Sequence, residues 1–148
     1  VSEGASKYST HDVHSPLLNP EQACGQCHTD SEYVVDRVNS IQKQVADTKI
    51  ATEDAIVDAI NAIKLAAANP NADAALLDQA RNLHRKAQFM WDFVSAENST
   101  GFHNPEYALN ILAESTNLAR QAQMLAAQSV NDTTLLQTGT YYRPTPAP

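Results

Sequence analysis

The sequence predicts an all-α protein. Glycine occurs only four times in 148 residues while alanine is abundant, and these two residues stand at opposite ends of the ordinary helix-propensity scale. Three long stretches repeat apolar residues at three-to-four spacing, the period of an amphipathic helix. Asn-Pro pairs punctuate those stretches where helices start and stop. The length suits one domain with a real core: one helical domain over 1–137 and an extended tail over 138–148.

The elements follow in order. Residues 1–19 hold Gly4, Pro16 and several Ser and Thr without a sustained period, and read as an irregular head. Asn19-Pro20-Glu21 is a helix start: Asn can cap, Pro suits the first turn, and Glu faces the positive end of the helix dipole. A first long helix covers 31–68, with Val34, Val38, Ile41, Val45, Thr52, Ile56, Ile60 and Ile63 on one stripe, and Asn69-Pro70-Asn71 stops it. A second covers 72–96, turning Leu76, Ala80, Leu83, Ala87, Met90, Trp91 and Val94 inward. Asn98 to Gly101 is a turn, and Asn104-Pro105-Glu106 repeats the start signal. The third helix runs to about 130, with Ala108, Ile111, Leu112, Ser115, Leu118, Ala122 and Leu125 inward. Pro144, Pro146 and Pro148 keep the tail extended, and Tyr141 and Tyr142 favour its docking. The amphipathic length leaves two readings open: an antiparallel bundle that buries everything internally, or a bundle that pairs part of its surface with another chain.

The chemistry begins at Cys24-Gly25-Gln26-Cys27-His28. CxxCH is the attachment sequence of c-type haem. Two thiolates three residues apart add to the two vinyl groups of one macrocycle, and the following histidine becomes the proximal iron ligand. These are the only two cysteines in the chain. A redox CxxC would be expected beside a βαβ pattern, and the sequence has none. Haem c is therefore the expected cofactor, held by Cys24, Cys27 and His28. Haem attachment of this kind generally takes place outside the cytoplasm, so the expected location is periplasmic or extracellular. The first residue, Val1, suits a processed or truncated chain.

What occupies the second axial position of an iron decides its chemistry. Met90 and Met124 both sit on apolar stripes and read as core. His84 lies between Arg81 and Arg85 on a helix and reads as a neutral or surface histidine. His11, His14 and His103 remain candidates for distal ligation, because a histidine in a loop is easier to aim at an iron than one within a polar helix face.

The formal charge of −7, with haem propionates adding to it, disfavours nucleic acid and anionic membranes as partners. No apolar run approaches the length of a membrane-crossing helix, so no membrane insertion is expected. Asn98-Ser99-Thr100 and Asn131-Asp132-Thr133 match glycosylation acceptors but read as a turn and a cap. Asp54 and Asp58 share a helix face that reads as solvated.

A family resemblance ranks the histidines. His84-Arg85-Lys86-Ala87-Gln88-Phe89-Met90-Trp91-Asp92-Phe93, then Ala96, Asn98, Gly101 and His103-Asn104-Pro105-Glu106, resembles the C-terminal haem-binding region of the pentahaem cytochrome c nitrite reductases, the ammonia-forming enzymes of bacterial periplasms. The resemblance extends to His11-x-x-x-Ser15-Pro16-Leu17 ahead of Ala23-Cys24-x-x-Cys27-His28, and so spans roughly residues 8 to 125. It implies a helical fold with long helices at a dimer interface. It also implies that Cys24, Cys27 and His28 hold the last haem of a series. By the same resemblance His11 is the distal ligand of an earlier haem, and His103 that of the haem just before the last. His14 receives no role from it.

The departures from the family matter as much. Its catalytic haem uses CxxCK, which this chain lacks. The catalytic arginine, tyrosine and histidine, and the calcium site beside them, fall upstream of the matched region. This polypeptide alone is not expected to reduce nitrite. Three functions follow as expectations. The first is an electron-transfer cytochrome in an oligomer or multihaem assembly, with redox partner proteins and with ligands shared among haem-bearing chains or copies of itself. The second is the C-terminal part of a split or cleaved multihaem nitrite-type reductase. The third is a haem-based sensor with an open iron.

Overall fold

The computed structural model describes residues 14–139 and 141 in full, and the backbone of residues 2–3 and 6–7. The fold is all-α, as the composition and periodicity predict. Four α-helices are described: α1 (Pro20–Ala23), α2 (Ser31–Ala67), α3 (Ala74–Ala96) and α4 (Pro105–Val130). Short 3-10 turns cover Pro16–Leu18 and Thr133–Leu136. In the head, which reads as irregular from sequence, Ser2–Glu3 (β1) pairs antiparallel with Ser6–Lys7 (β2), Ser2 opposite Lys7. The chain divides into two compact units, Val1–Ser40 and Ile41–Pro148, with the boundary inside α2.

Each long helix starts on a side-chain cap. Asp30 Oδ1 accepts from Tyr33 N at 2.9 Å, Asp73 Oδ1 accepts from Ala75 N and Leu76 N, and Asn104 Oδ1 accepts from Tyr107 N. Such bonds satisfy amide donors that the first turn leaves open, each contributing about 1 kcal/mol. Asn19 departs from the expectation: it precedes Pro20, but its side chain makes no capping bond. Its carbonyl accepts instead from Gln22 N and Ala23 N.

In the second unit, residues 41–67 of α2 pack with α3 and α4 in three layers. Val45 meets Val94, Ala108 and Leu112. Ala55, Ile56 and Ala59 meet Ala87, Ala119 and Ala122. Ala62 and Ala66 meet Leu77, Ala80 and Ala126. Residue numbers rise along α2 and α4 while they fall along α3, so the unit is an up-down-up bundle with its middle helix reversed. Among the described residues, buried alanines outnumber all other buried apolar residues together.

Polar bonds cross this seam. Buried Ser115 donates to Ala87 O at 2.7 Å, tying α4 to α3. Fully buried Thr52 donates to Thr48 O, with the Thr116 hydroxyl 3.0 Å away on α4. The Trp91 indole N–H donates to Lys49 O at 3.1 Å, and the Lys49 ammonium lies over the ring. Trp91 thus packs, as the sequence suggests.

Three expectations about individual residues are corrected. Ile60 is exposed, because the stripe turns Ala59 inward in its place. Met124 is half exposed, outside the core. Asp58 is buried rather than solvated: its carboxylate takes bonds from Arg120 Nη1 at 2.6 Å, Gly139 N at 2.9 Å and the Tyr141 hydroxyl. Gln123 adds two bonds to the same segment through Leu135 O and Gln137 O. Leu135, Gln137, Gly139 and Tyr141 are therefore docked on α2 and α4, as Tyr141 suggests. Tyr142 and Pro144, Pro146 and Pro148 lie outside the described residues.

Burial acts to raise the Asp58 pKa, but the bonds from Tyr141, Gly139 and Arg120, with the Arg120 charge, outweigh it and lower the pKa from its ordinary 3.8. A depressed carboxylate adds stability that is complete above its unfolded value and is lost as pH falls through its folded value. Asp58→Asn is expected to lower the unfolding free energy in urea by about 1–2 kcal/mol, the scale for weakening a charge-assisted hydrogen bond, because the partly exposed Arg120 side chain can turn to water. It is also expected to flatten the loss of stability below pH 3.8, the range where the wild-type latch weakens.

Candidate haem-binding site

The attachment residues sit in the first unit, in one turn that prolongs α1. Cys24 N and Gly25 N both donate to Pro20 O, and Cys27 N and His28 N both donate to Cys24 O at 3.0 and 2.9 Å. The turn thus gathers Cys24, Cys27 and His28 onto one short piece of backbone. Gly25 is needed there, because a Cβ would stand 2.3 Å from Glu21 O. The two cysteines are not joined in a disulfide; Cys27 and His28 are exposed and Cys24 is partly so. Two reachable thiols and an accessible imidazole on a fixed turn are the donor set that c-type haem requires, and the residues fit the group.

His14 is exposed just before the Pro16–Leu18 turn. His11 lies outside the described residues. His84 is half-buried on α3, with Nε2 shielded from solvent and lacking a hydrogen-bond partner. Burial first, and then the Arg85 charge, lower its pKa, which favours the neutral ring.

His103 belongs to the second unit, in the connection from α3 to α4. That connection is strained: Thr100 and Gly101 both adopt positive φ, 51° and 77°. A β-branched residue there costs about 1–3 kcal/mol, so other contacts must hold the turn. Glu97 supplies them. Its Oε1 accepts from Ser99 N, and its Oε2 from the Ser99 hydroxyl and Gly101 N, all at 2.8 Å. Burial acts to raise the Glu97 pKa, but these bonds and His103 together hold it down to about 2. Gln42 Nε2 donates to Ser99 O at 2.9 Å, tying the turn to α2. Gly101 is buried against Val45, where a Cβ would stand 2.7 Å from Cγ2.

His103 is exposed at the end of this turn, with its Nδ1 3.6 Å from Glu97 Oε1. Its backbone N–H donates to the Ser99 hydroxyl, and Phe102 lies beside the ring. A cleft of about 290 Å³ opens alongside, walled by Phe93, Val94, Tyr107 and Ala108. Tyr107 is exposed and meets Phe93 edge-on. Glu97 was missed by sequence reasoning. Its signal is a carboxylate just past a helix end, two and four residues ahead of a Ser and a Gly.

A helical scaffold carrying CxxCH defines the class of c-type cytochromes. The family model for cytochrome c552 matches residues 1–145, and the chain belongs to that family, whose members bind c-type haem. The chain is 43% identical over 135 residues to the cytochrome c nitrite reductase subunit NrfA of Nitratidesulfovibrio vulgaris (strain Hildenborough), covering 86% of this chain and 26% of that protein. It is 31% identical over 131 residues to cytochrome c-552 of Maridesulfovibrio salexigens, covering 84% of this chain and 25% of that protein. Among solved structures, the catalytic subunit NrfA of cytochrome c nitrite reductase from Desulfovibrio desulfuricans ATCC 27774 superimposes with a TM-score of 0.77 at 38% identity, covering 84% of this chain and 28% of that one. The resemblance to the nitrite reductases read from the sequence is borne out, and with it haem c as cofactor and electron transfer as the general role. The chain spans about a quarter of the length of the relatives it matches. Among the described residues no helix is long and apolar enough to cross a membrane.

Gly101→Ala forces a side chain into both a positive-φ position and the Val45 contact. It is expected to destabilise the protein by about 2 kcal/mol, measured by urea unfolding, while far-UV circular dichroism keeps its helical shape.

Proposed function

We propose that this chain relays electrons through one haem c within a multihaem assembly in the periplasm. Cys24 and Cys27 hold the group by thioether bonds and His28 is its proximal ligand. His103 is donated to a haem held by another polypeptide or another copy, and His11 is given the same role on the sequence resemblance. The observation that carries this reading is the surplus of ligands. One attachment turn accounts for one haem, yet a second accessible imidazole stands on a separately braced turn in the other unit.

Haem c supplies a reversible one-electron iron couple when bound. The chain's own part is to fix the proximal imidazole two backbone bonds from the helix end and to set the surroundings that tune the potential. A second reading, the C-terminal part of a split or cleaved nitrite-type reductase, is favoured by the small fraction of the reductases that this chain spans. In either case the work is done in company: further haem-bearing chains and redox partner proteins are the partners.

The attachment is tested by mass. Under denaturing conditions the wild-type chain is expected to stay one haem heavier than its apo form, and Cys24→Ser/Cys27→Ser to lose the group altogether. Release of haem from the denatured wild type would contradict the assignment. The reduced native particle is expected not to take up CO at the haem this chain holds; uptake there would favour an open-iron sensor.

A further inference from the structure

The turn before α4 offers more than a support for His103. Glu97 has four acceptor positions on its carboxylate. Three are filled by Ser99 N, the Ser99 hydroxyl and Gly101 N. Oε1 takes only one of these bonds and lies 3.6 Å from His103 Nδ1. The two ring nitrogens lie on opposite edges of an imidazole, so the edge that carries Nε2 points away from Glu97. Histidines that ligate metals generally donate their other ring N–H to a carboxylate or carbonyl, which fixes the tautomer and raises ligand basicity.

We infer that Glu97 is the positioning residue for His103 as an axial ligand, accepting its Nδ1–H and thereby presenting Nε2 to iron. The inference rests on the proposed role of His103 as a ligand. The carboxylate is well placed for the task because it cannot swing away: its three other bonds are to the strained turn that it holds shut. Contact at 3.6 Å is longer than a hydrogen bond, and ligation at Nε2 closes it by making Nδ1–H a stronger donor. The negative charge then reaches the iron through the ring and favours the ferric state. Sequence alone hides this role, since Glu97 is separated from His103 by six positions and by a reversal of the backbone.

The test uses the native haem-loaded particle and two readouts, the low-spin electron paramagnetic resonance signal and the midpoint potential of each haem. His103→Ala is expected to abolish the low-spin signal of one haem. Glu97→Gln is expected to keep that signal and to shift the same haem's potential upward. Ser99→Ala, which loosens the same turn but keeps the charge, is expected to leave the potential where it was. Should the Gln variant lose its turn, Glu97→Asp keeps the charge and is expected to hold the potential near wild type. If His103→Ala alters one haem but the potential ignores Glu97→Gln, or follows Ser99→Ala or Glu97→Asp equally, Glu97 merely braces the turn and the inference fails while the ligand stands. If His103→Ala alters no haem, the ligand reading fails and the inference with it.

Discussion

Close approach of three helices along an alanine seam is the constraint on which the second unit depends. Alanine at the contact positions brings backbones near one another, so that single hydroxyls such as Ser115 and Thr52 can bond across to a neighbouring helix. The same approach puts Val45 against Gly101 and leaves no room for a side chain there. The connection from α3 to α4 must then turn through positive φ, and Glu97 bonds the turn in that shape. What stands exposed at the end is His103. A core choice of small residues thus propagates, contact by contact, to the placement of one imidazole.

A different economy governs the first unit. There the attachment turn is built almost entirely from backbone bonds: Pro20 O and Cys24 O each accept twice within nine residues. In the proposed function the cysteines and His28 need only be presented, since the thioether bonds would do the holding. A ligand offered to a haem held elsewhere has no such covalent help. It needs a rigid mount and an oriented ring, and the turn around Glu97 has both. The contrast between a lightly built attachment turn and a heavily braced histidine fits a chain that holds one haem and serves another.

Much of this was legible from the residues. Asn-Pro pairs mark the starts of α1 and α4 and the end of α2, and the haem motif follows from its five residues. The inward faces of α3 and α4 follow from a clear 3.6-residue period. What failed has identifiable physical causes. A stripe read by its largest apolar members chose Ile60, whereas the seam required Ala59, and alanine carries little hydrophobic signal. Asp58 looked solvated because its partners Arg120, Gly139 and Tyr141 come from distant parts of the chain. Glu97 was overlooked for a related reason: its bonds go to backbone amides, which no side-chain pattern announces.

The most direct test of the account is native mass spectrometry of the particle purified from its natural source, counting polypeptides and haems together. The account predicts one covalently bound haem for each copy of this chain and more than one haem in the particle, with further copies or another haem-bearing chain present. A lone chain with a single haem would leave His103 without an iron to face and would contradict it.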